Sequence, residues 1–239
     1  MSQSPNLLLN SLSDADVAAL GPHLRTVDLP QGDILFDVGD PILQVYFLHS
    51  GIVSLVVSLA TGETIESAMI GRESVVGGSA GLNGQESVYK AIVQIAGTAS
   101  VLDSDRLRGL AEASPASRAA LFRHEQMILV QAQQSAACNA THTVEARLAR
   151  WLLRSRDLQG SDDLVLTQEF LSQMLGVRRT SVSVVANTFQ QAGFIRYSRG
   201  HIRILNLEGL RETACECYHT VKAQAERLLS PHQDIALAK

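Results

Sequence analysis

Residues 116–142 contain neither glycine nor proline and follow directly on Ser114-Pro115. A stretch of that length without a breaker reads as one α-helix about 40 Å long. Such a rod is longer than the usual helix of a globular domain and must project from whatever precedes it. It divides the chain into three expected units: residues 1–113, the rod over 114–142, and residues 143–239. Leu121, Ile128 and Ser135 recur at intervals of seven with Ala132 between them. That stripe is the expected seam with a second copy of the chain.

The unit before the rod has a different texture. Between Val27 and Asp103 short runs of Val, Ile and Leu alternate with Gly, Asp and Ser turn signals, the rhythm of antiparallel β structure. Strands are expected at Leu24–Leu29, Ile34–Asp37, Gln44–His49, Ile52–Ser58, Glu63–Ile70, Val88–Ile95 and Ser100–Asp103, with turns at Ser50-Gly51 and Ala60-Thr61-Gly62. So many strands in so short a segment imply a jelly roll or a similar barrel. Ahead of it, Ser13 caps a short helix stopped by Gly21-Pro22.

With 46% hydrophobic and 18% charged residues among 239, the chain has the balance of a globular protein rather than a disordered or low-complexity one. No apolar run approaches the ~20 residues of a membrane span. Leu7-Leu8-Leu9 is too short for a signal peptide and has no basic residue ahead of it, so a cytoplasmic protein without membrane contact is expected. Three cysteines, Cys138, Cys215 and Cys217, form no disulfide framework and suit a reducing compartment.

Charge is segregated. Residues 1–142 carry a net charge of −7 and residues 143–206 one of +4. No acid lies between Glu169 and Glu208, while Arg178, Arg179, Arg196, Arg199, Arg203 and His201 all fall in that gap. A polyanion is the partner this implies.

Pattern in the same gap sharpens the expectation. Val144, Leu148, Trp151 and Leu152 mark an amphipathic core helix, and Leu164-Val165-Leu166 a short strand. Thr167 then caps a helix to Leu175, Gly176-Val177-Arg178 makes a tight turn, and a second helix runs from Arg179 to about Gln191, stopped by Gly193. Ser172 is small where two crossing helices must approach, and Gly176 sits where the turn needs positive φ. Val182, Val185, Ala186 and Phe189 form the inward stripe of the second helix. Thr180, Ser183, Val184, Asn187 and Gln191 point outward, next to Arg178 and Arg179. Phe194–Tyr197 and Ile202–Leu205 flank a Ser198-Arg199-Gly200-His201 turn, a hairpin with a basic tip. Together these are a winged helix-turn-helix, whose second helix enters the major groove of double-stranded DNA. Arg179, Thr180, Ser181, Ser183, Val184 and Asn187 are the expected base-facing residues. Thr167, Arg178, Arg199 and His201 are the expected phosphate contacts.

The β region with its turn glycines, the rod, and the sequence from Leu166 to Val182 resemble the Crp/Fnr family of bacterial transcription regulators over almost the whole chain. The resemblance implies an α+β fold: an N-terminal antiparallel β-roll related to cyclic-nucleotide-binding domains, a dimerisation helix, and a C-terminal winged helix-turn-helix. It further implies a homodimer on a near-palindromic operator, with RNA polymerase as a partner. Two departures narrow it. Where cyclic-AMP-binding members carry a Gly-Glu pair and an Arg-Ser or Arg-Thr pair, this chain has Gly78 or Ser79 and Ser87 or Val88. A buried phosphate would lack its cation, so an effector other than cyclic AMP, of unknown identity, is expected. The N-terminal cysteines of the iron-sulfur members are absent too, since no Cys precedes Cys138. At the reading helix the family's first-turn Arg is kept as Arg179, but Thr180 and Val184 replace a common Glu and a later Arg, so the operator should differ from the usual half-site.

Rival chemistry is thin. With Asn206 capping one helix through to Leu229, Cys215 and His219 share a face while Cys217 points away, so no metal site and no cofactor are expected. Cys138 reads as a buried small hydrophobe or a redox-sensitive thiol. A cupin-like metal enzyme needs a His-x-His ligand set, and the roll offers only His49 with His23 just upstream. A catalytic motif is not evident, and the remaining alternative is an interaction module that no longer reads DNA.

Overall fold

The computed structural model describes residues 4–60 and 62–229. Two short helices, α1 (Leu7–Asn10) and α2 (Asp14–Leu20), open the chain, each capped by a side chain, Asn6 and Ser13 respectively. A 3-10 turn (Gly21–His23) leads into strands β1 (Arg25–Leu29), β2 (Ile34–Phe36), β3 (Gln44–Leu48), β4 (Ile52–Ser58), β5 (Thr64–Ile70) and β6 (Val75–Val76). After a second 3-10 turn (Gly78–Leu82) come β7 (Lys90–Ile95) and β8 (Gly97–Asp103). They form two four-stranded antiparallel sheets, ordered β1-β8-β3-β6 and β2-β7-β4-β5. The period-2 pattern explains the packing: Val45 and Phe47 of β3, Val53 and Leu55 of β4 and Val93 of β7 all point into one core between the sheets. The expected turn over Ala60-Thr61-Gly62 includes Thr61, which lies outside the described residues; Gly62 itself has a positive φ of 88°.

Helix α1, strand β6 and helix α3 were not anticipated. β6 is only two residues long, and helix α3 (Ser104–Ala113) has Gly109 in its middle, which masks its apolar pair Leu107 and Ala111. That pair at i and i+4 is what docks α3 on the roll.

The rod is α4 (Pro115–Thr141), with Ser114 accepting from the Ser117 amide and Pro115 in the first turn. Its inner face buries Leu121, His124, Met127, Gln131, Ser135 and Cys138. Two of the four expected seam residues, Leu121 and Ser135, lie on this covered face. Leu121 is only 3% exposed and meets Gly81 and Leu107 of its own roll, Ser135 is 8% exposed, and Ile128 and Ala132 are half-buried. The outward stripe is one residue further on, with Phe122 at 55% and Leu129 at 56% exposure and Ala136 exposed in line with them. A turn of about 100° per residue separates the two stripes, and periodicity alone does not say which one the roll covers.

Beyond the rod lie α5 (Val144–Gln159), β9 (Asp163–Val165), α6 (Gln168–Leu175), α7 (Arg179–Gln191), β10 (Ile195–Ser198), β11 (His201–Ile204), α8 (Leu207–Thr213) and α9 (Cys217–Leu229). Asn206 caps α8 as expected, but the expected single helix to Leu229 is broken at Ala214, whose backbone is extended. In a straight helix Cys215 would lie about 140° from the buried Leu210. The break lets Leu210, Cys215, Cys217 and Tyr218 all be buried.

Roll and C-terminal elements share one apolar core, in which Ile52, Val56, Met69 and Ile95 meet Leu148, Trp151, Met174 and Phe189. Polar clamps cross the same boundary. Arg154 pairs with Glu73 at 2.7 Å. Glu66 of β5 is buried and accepts hydrogen bonds from the Trp151 indole (3.0 Å) and from the Ser54 hydroxyl. Burial pushes this carboxyl up to about 7, against the Ser54 and Trp151 hydrogen bonds and the charges of Arg150 and Arg154. Among the described residues, no helix is long and apolar enough to cross a membrane.

Candidate nucleic-acid interface

Helix α6 begins at Thr167, whose hydroxyl accepts from the Phe170 amide, and ends at Gly176 with φ of 59°. The Val177 amide then bonds back to Ser172 O at 3.0 Å, closing the turn that sets α7 across α6. Ser172 is 6% exposed at the crossing, and Leu171, Met174 and Leu175 pack against Val182, Ala186 and Phe189. Gly176 has a second reason to be glycine: a Cβ there would lie 2.8 Å from Ile65 of β5, whose hairpin abuts the turn.

No side chain caps the start of α7; Arg178 occupies the cap position through its backbone only. The first-turn amides therefore face outward at the positive end of the helix, an arrangement that favours an anion. Arg178, Arg179, Thr180, Val184 and Asn187 are exposed around this end, Val184 at 66%. Ser181 and Ser183 are half-buried. The Ser183 hydroxyl lies 2.6 Å from Gln168 Oε1 and 3.0 Å from Arg179 O, so its proton is held by the protein and only its lone pairs face out. Gln168 was missed in the sequence; it is the first residue of α6, and what marks it is its place beside the cap Thr167.

The wing is the β10–β11 hairpin, with Ser198 opposite His201 and β9 paired on the far side of β11. Arg199 (φ 47°) and Gly200 (φ 81°) both take left-handed backbone, the twist a two-residue hairpin turn demands. Leu166 N donates to Gly200 O at 2.7 Å, and a Cβ at Gly200 would reach the Thr167 methyl at 3.4 Å. The wing tip, with exposed Arg199 and His201, is thereby held against the start of α6. Thr167, Arg199 and His201 form one end of a surface that continues through Gln168 and Ser183 to α7.

This surface is electrostatically open. Among the described residues no carboxylate lies within 4.0 Å of Arg178, Arg179, Arg196 or Arg199, while Arg203 reaches Asp163 at 3.6 Å. Arg196 and Arg203 stand directly opposite each other in the hairpin, a like-charge pair that an anion would relieve.

The roll presents nothing comparable. His49, half-buried with its protonation disfavoured by that burial, hydrogen-bonds Ser100 at 2.8 Å. Among the described residues it belongs to no cluster of potential metal ligands. The loop after β6 is packed rather than open: a Cβ at Gly78 or Gly81 would meet Val75, Leu107 or Leu121 within 3 Å. Ser87 is buried with its hydroxyl donating to Tyr89 O, and Val88 points to solvent at 84% exposure.

Comparison with known proteins fits this division. A cyclic nucleotide-binding domain description matches residues 26–114, and a Crp-like helix-turn-helix description matches residues 146–213. The chain belongs to the Crp/Fnr family of transcription regulators. The CRP-like cAMP-activated global transcriptional regulator of Mycobacterium tuberculosis is 24% identical, over 87% of this chain and 96% of its own length. FixK2 of Bradyrhizobium japonicum superposes with a TM-score of 0.70 at 17% identity, over 80% of this chain and 98% of that one. A Crp/Fnr-family regulator of Thermus thermophilus does so at 0.63 with 25% identity, over 80% and 98%. The Crp/Fnr assignment carries with it the expected α+β fold and a role in transcription regulation, the family being one of regulators.

Proposed function

We propose that this Crp/Fnr regulator binds a near-palindromic operator as a homodimer. Residues 1–113 act as the sensor, residues 114–142 as the dimer axis and residues 143–239 as the operator reader. The observation that carries the reading is the set of exposed arginines around the uncapped start of α7, none paired with a carboxylate within 4.0 Å among the described residues, continuous with the wing tip. Arg179 grips a guanine edge, Thr180 and Val184 touch neighbouring bases, and Asn187 lies further along the groove. Ser183 accepts rather than donates, and Ser181, half-buried beside the helix start, supports the contact. Thr167, Arg178, Arg199 and His201 hold phosphates. RNA polymerase is the partner the family implies.

The second copy docks on the Phe122–Leu129–Ala136 stripe, since these side chains are exposed at heptad spacing on a helix whose other face is already covered. Leu129→Glu should turn the dimer into a monomer in analytical ultracentrifugation; an unchanged dimer would place the seam elsewhere.

The effector is a molecule other than cyclic AMP. The mycobacterial relative is cAMP-activated by name, but this chain offers Ser87 and Val88 where a phosphate-pairing Arg is needed, and Val88 faces solvent. Calorimetric titration should show no heat of cyclic AMP binding at millimolar ligand. Selection of bound genomic fragments by the purified protein tests the whole reading: a recurrent near-palindrome bound with steep salt dependence supports it. Indifference to every duplex at low salt would leave an interaction module.

A further inference from the structure

Outside the reading surface, the structure gathers Cys138, His142, Cys215 and Cys217 at the far end of the rod, with one potential ligand atom from each lying within 4.8 Å of the other three. Cys138 sits in the last turn of α4 and His142 just past its end, while Cys215 lies in the link between α8 and α9 and Cys217 opens α9. We propose that these four side chains form a closed, four-coordinate site for one thiophilic divalent cation of the zinc class.

Geometry is the first argument. Zinc held by sulfur at ~2.3 Å and imidazole nitrogen at ~2.0 Å in a tetrahedron needs sulfur-sulfur edges of about 3.8 Å and sulfur-nitrogen edges of about 3.6 Å. Cys138 Sγ and Cys215 Sγ are 3.6 Å apart, and Cys217 Sγ is 3.6 Å from His142 Nδ1. A disulfide would require about 2.05 Å. An iron-sulfur cluster distributes its thiolates over several irons, a wider spread than one shell of four donors.

The surroundings supply the rest of what such a site needs. All three thiols are buried, Cys138 completely. The other ring nitrogen of His142, Nε2, lies 3.2 Å from the Glu216 carboxylate, the outer contact that fixes a ligating imidazole with Nδ1 toward the metal. Gln134 donates to Cys217 Sγ at 3.0 Å, a bond that suits a thiolate. Three thiolates on a divalent ion leave one negative charge, and the positive charges of Arg147 and Arg150 act on the cluster. Soft sulfur donors select zinc over magnesium or calcium. Bound, the ion ties the α8–α9 link to the end of the rod.

The site stands independently of operator reading, and its test uses no DNA. Full-length protein purified untagged, under reducing conditions and without chelator, should carry about one zinc per chain by mass spectrometry of the elements. Replacing zinc with Co(II) should give the thiolate-to-cobalt charge transfer and intense visible bands of a tetrahedral site. Cys138→Ser and Cys215→Ser should each reduce retained zinc to under about a tenth of an equivalent. Glu216→Ala should keep the stoichiometry while weakening zinc affinity about tenfold. The cobalt spectrum is read on the unaltered chain, so a misfolded variant does not remove the test. No retained metal with weak, octahedral cobalt bands would overturn the proposal. So would stoichiometric iron with acid-labile sulfide, or a Cys138–Cys215 disulfide in protein from reducing cells.

Discussion

The reading surface and the thiol cluster are both polar constellations, but they are assembled in opposite ways. Every member of the reading surface lies between Thr167 and Arg203, on consecutive elements whose turn, cap and hairpin are local. The thiol cluster joins residues 77 positions apart, Cys138 and Cys215, and exists only because a helix breaks at Ala214. Local chemistry is written in spacing, whereas a site closed by tertiary packing is written nowhere in any one segment.

Two substitutions probe the reading surface, the first of them also against the thiol cluster. The largest effect on binding is expected from Arg179→Ala, which should weaken binding to the selected operator by about 1–3 kcal/mol, roughly 5- to 150-fold, with relaxed preference at one base pair. Zinc content should not change; a parallel loss of metal would mean the two regions fold as one. Arg199→Ala should have a smaller effect, a loss shared by all duplexes and a salt slope reduced by about one, measured by fluorescence anisotropy across salt concentrations. A loss confined to one operator would make Arg199 a base reader instead.

How far the sequence carried each region follows from the same contrast. The winged helix-turn-helix was legible because Thr167, Gly176, Gly193 and the Arg199-Gly200 turn each have a local conformational reason. The roll strands were legible from alternation, with β6 too short to register and α3 obscured by Gly109. Which stripe of α4 faces solvent was not legible, because only the packing of Leu121 near Gly81 sets the covered stripe apart from the exposed one. The metal argument failed on an assumed straight helix. Gln168 was missed because its role depends on Ser183, which lies on the next helix.

A last effect, on stability rather than on binding, concerns the boundary both regions share with the roll. Glu66 is raised in the folded chain from an ordinary 4.5 to about 7. Between those values the folded state holds the proton that the unfolded state releases, so Glu66 makes stability fall as pH rises through that window. The span corresponds to at most about 3 kcal/mol. Glu66→Gln keeps the shape and removes the titration, so the decline in melting temperature between pH 5 and pH 8 should flatten. An unchanged decline would assign it to other groups.

The bare notch at Gly176, filled by Ile65 from the roll, has a mechanical consequence. It places a β-hairpin fingertip on the knuckle between the two recognition helices, with no linker or solvent layer to absorb movement. Any movement of that fingertip strips the knuckle of its apolar seat, and the strain arrives at the first turn of α7 without passing through the rod at all.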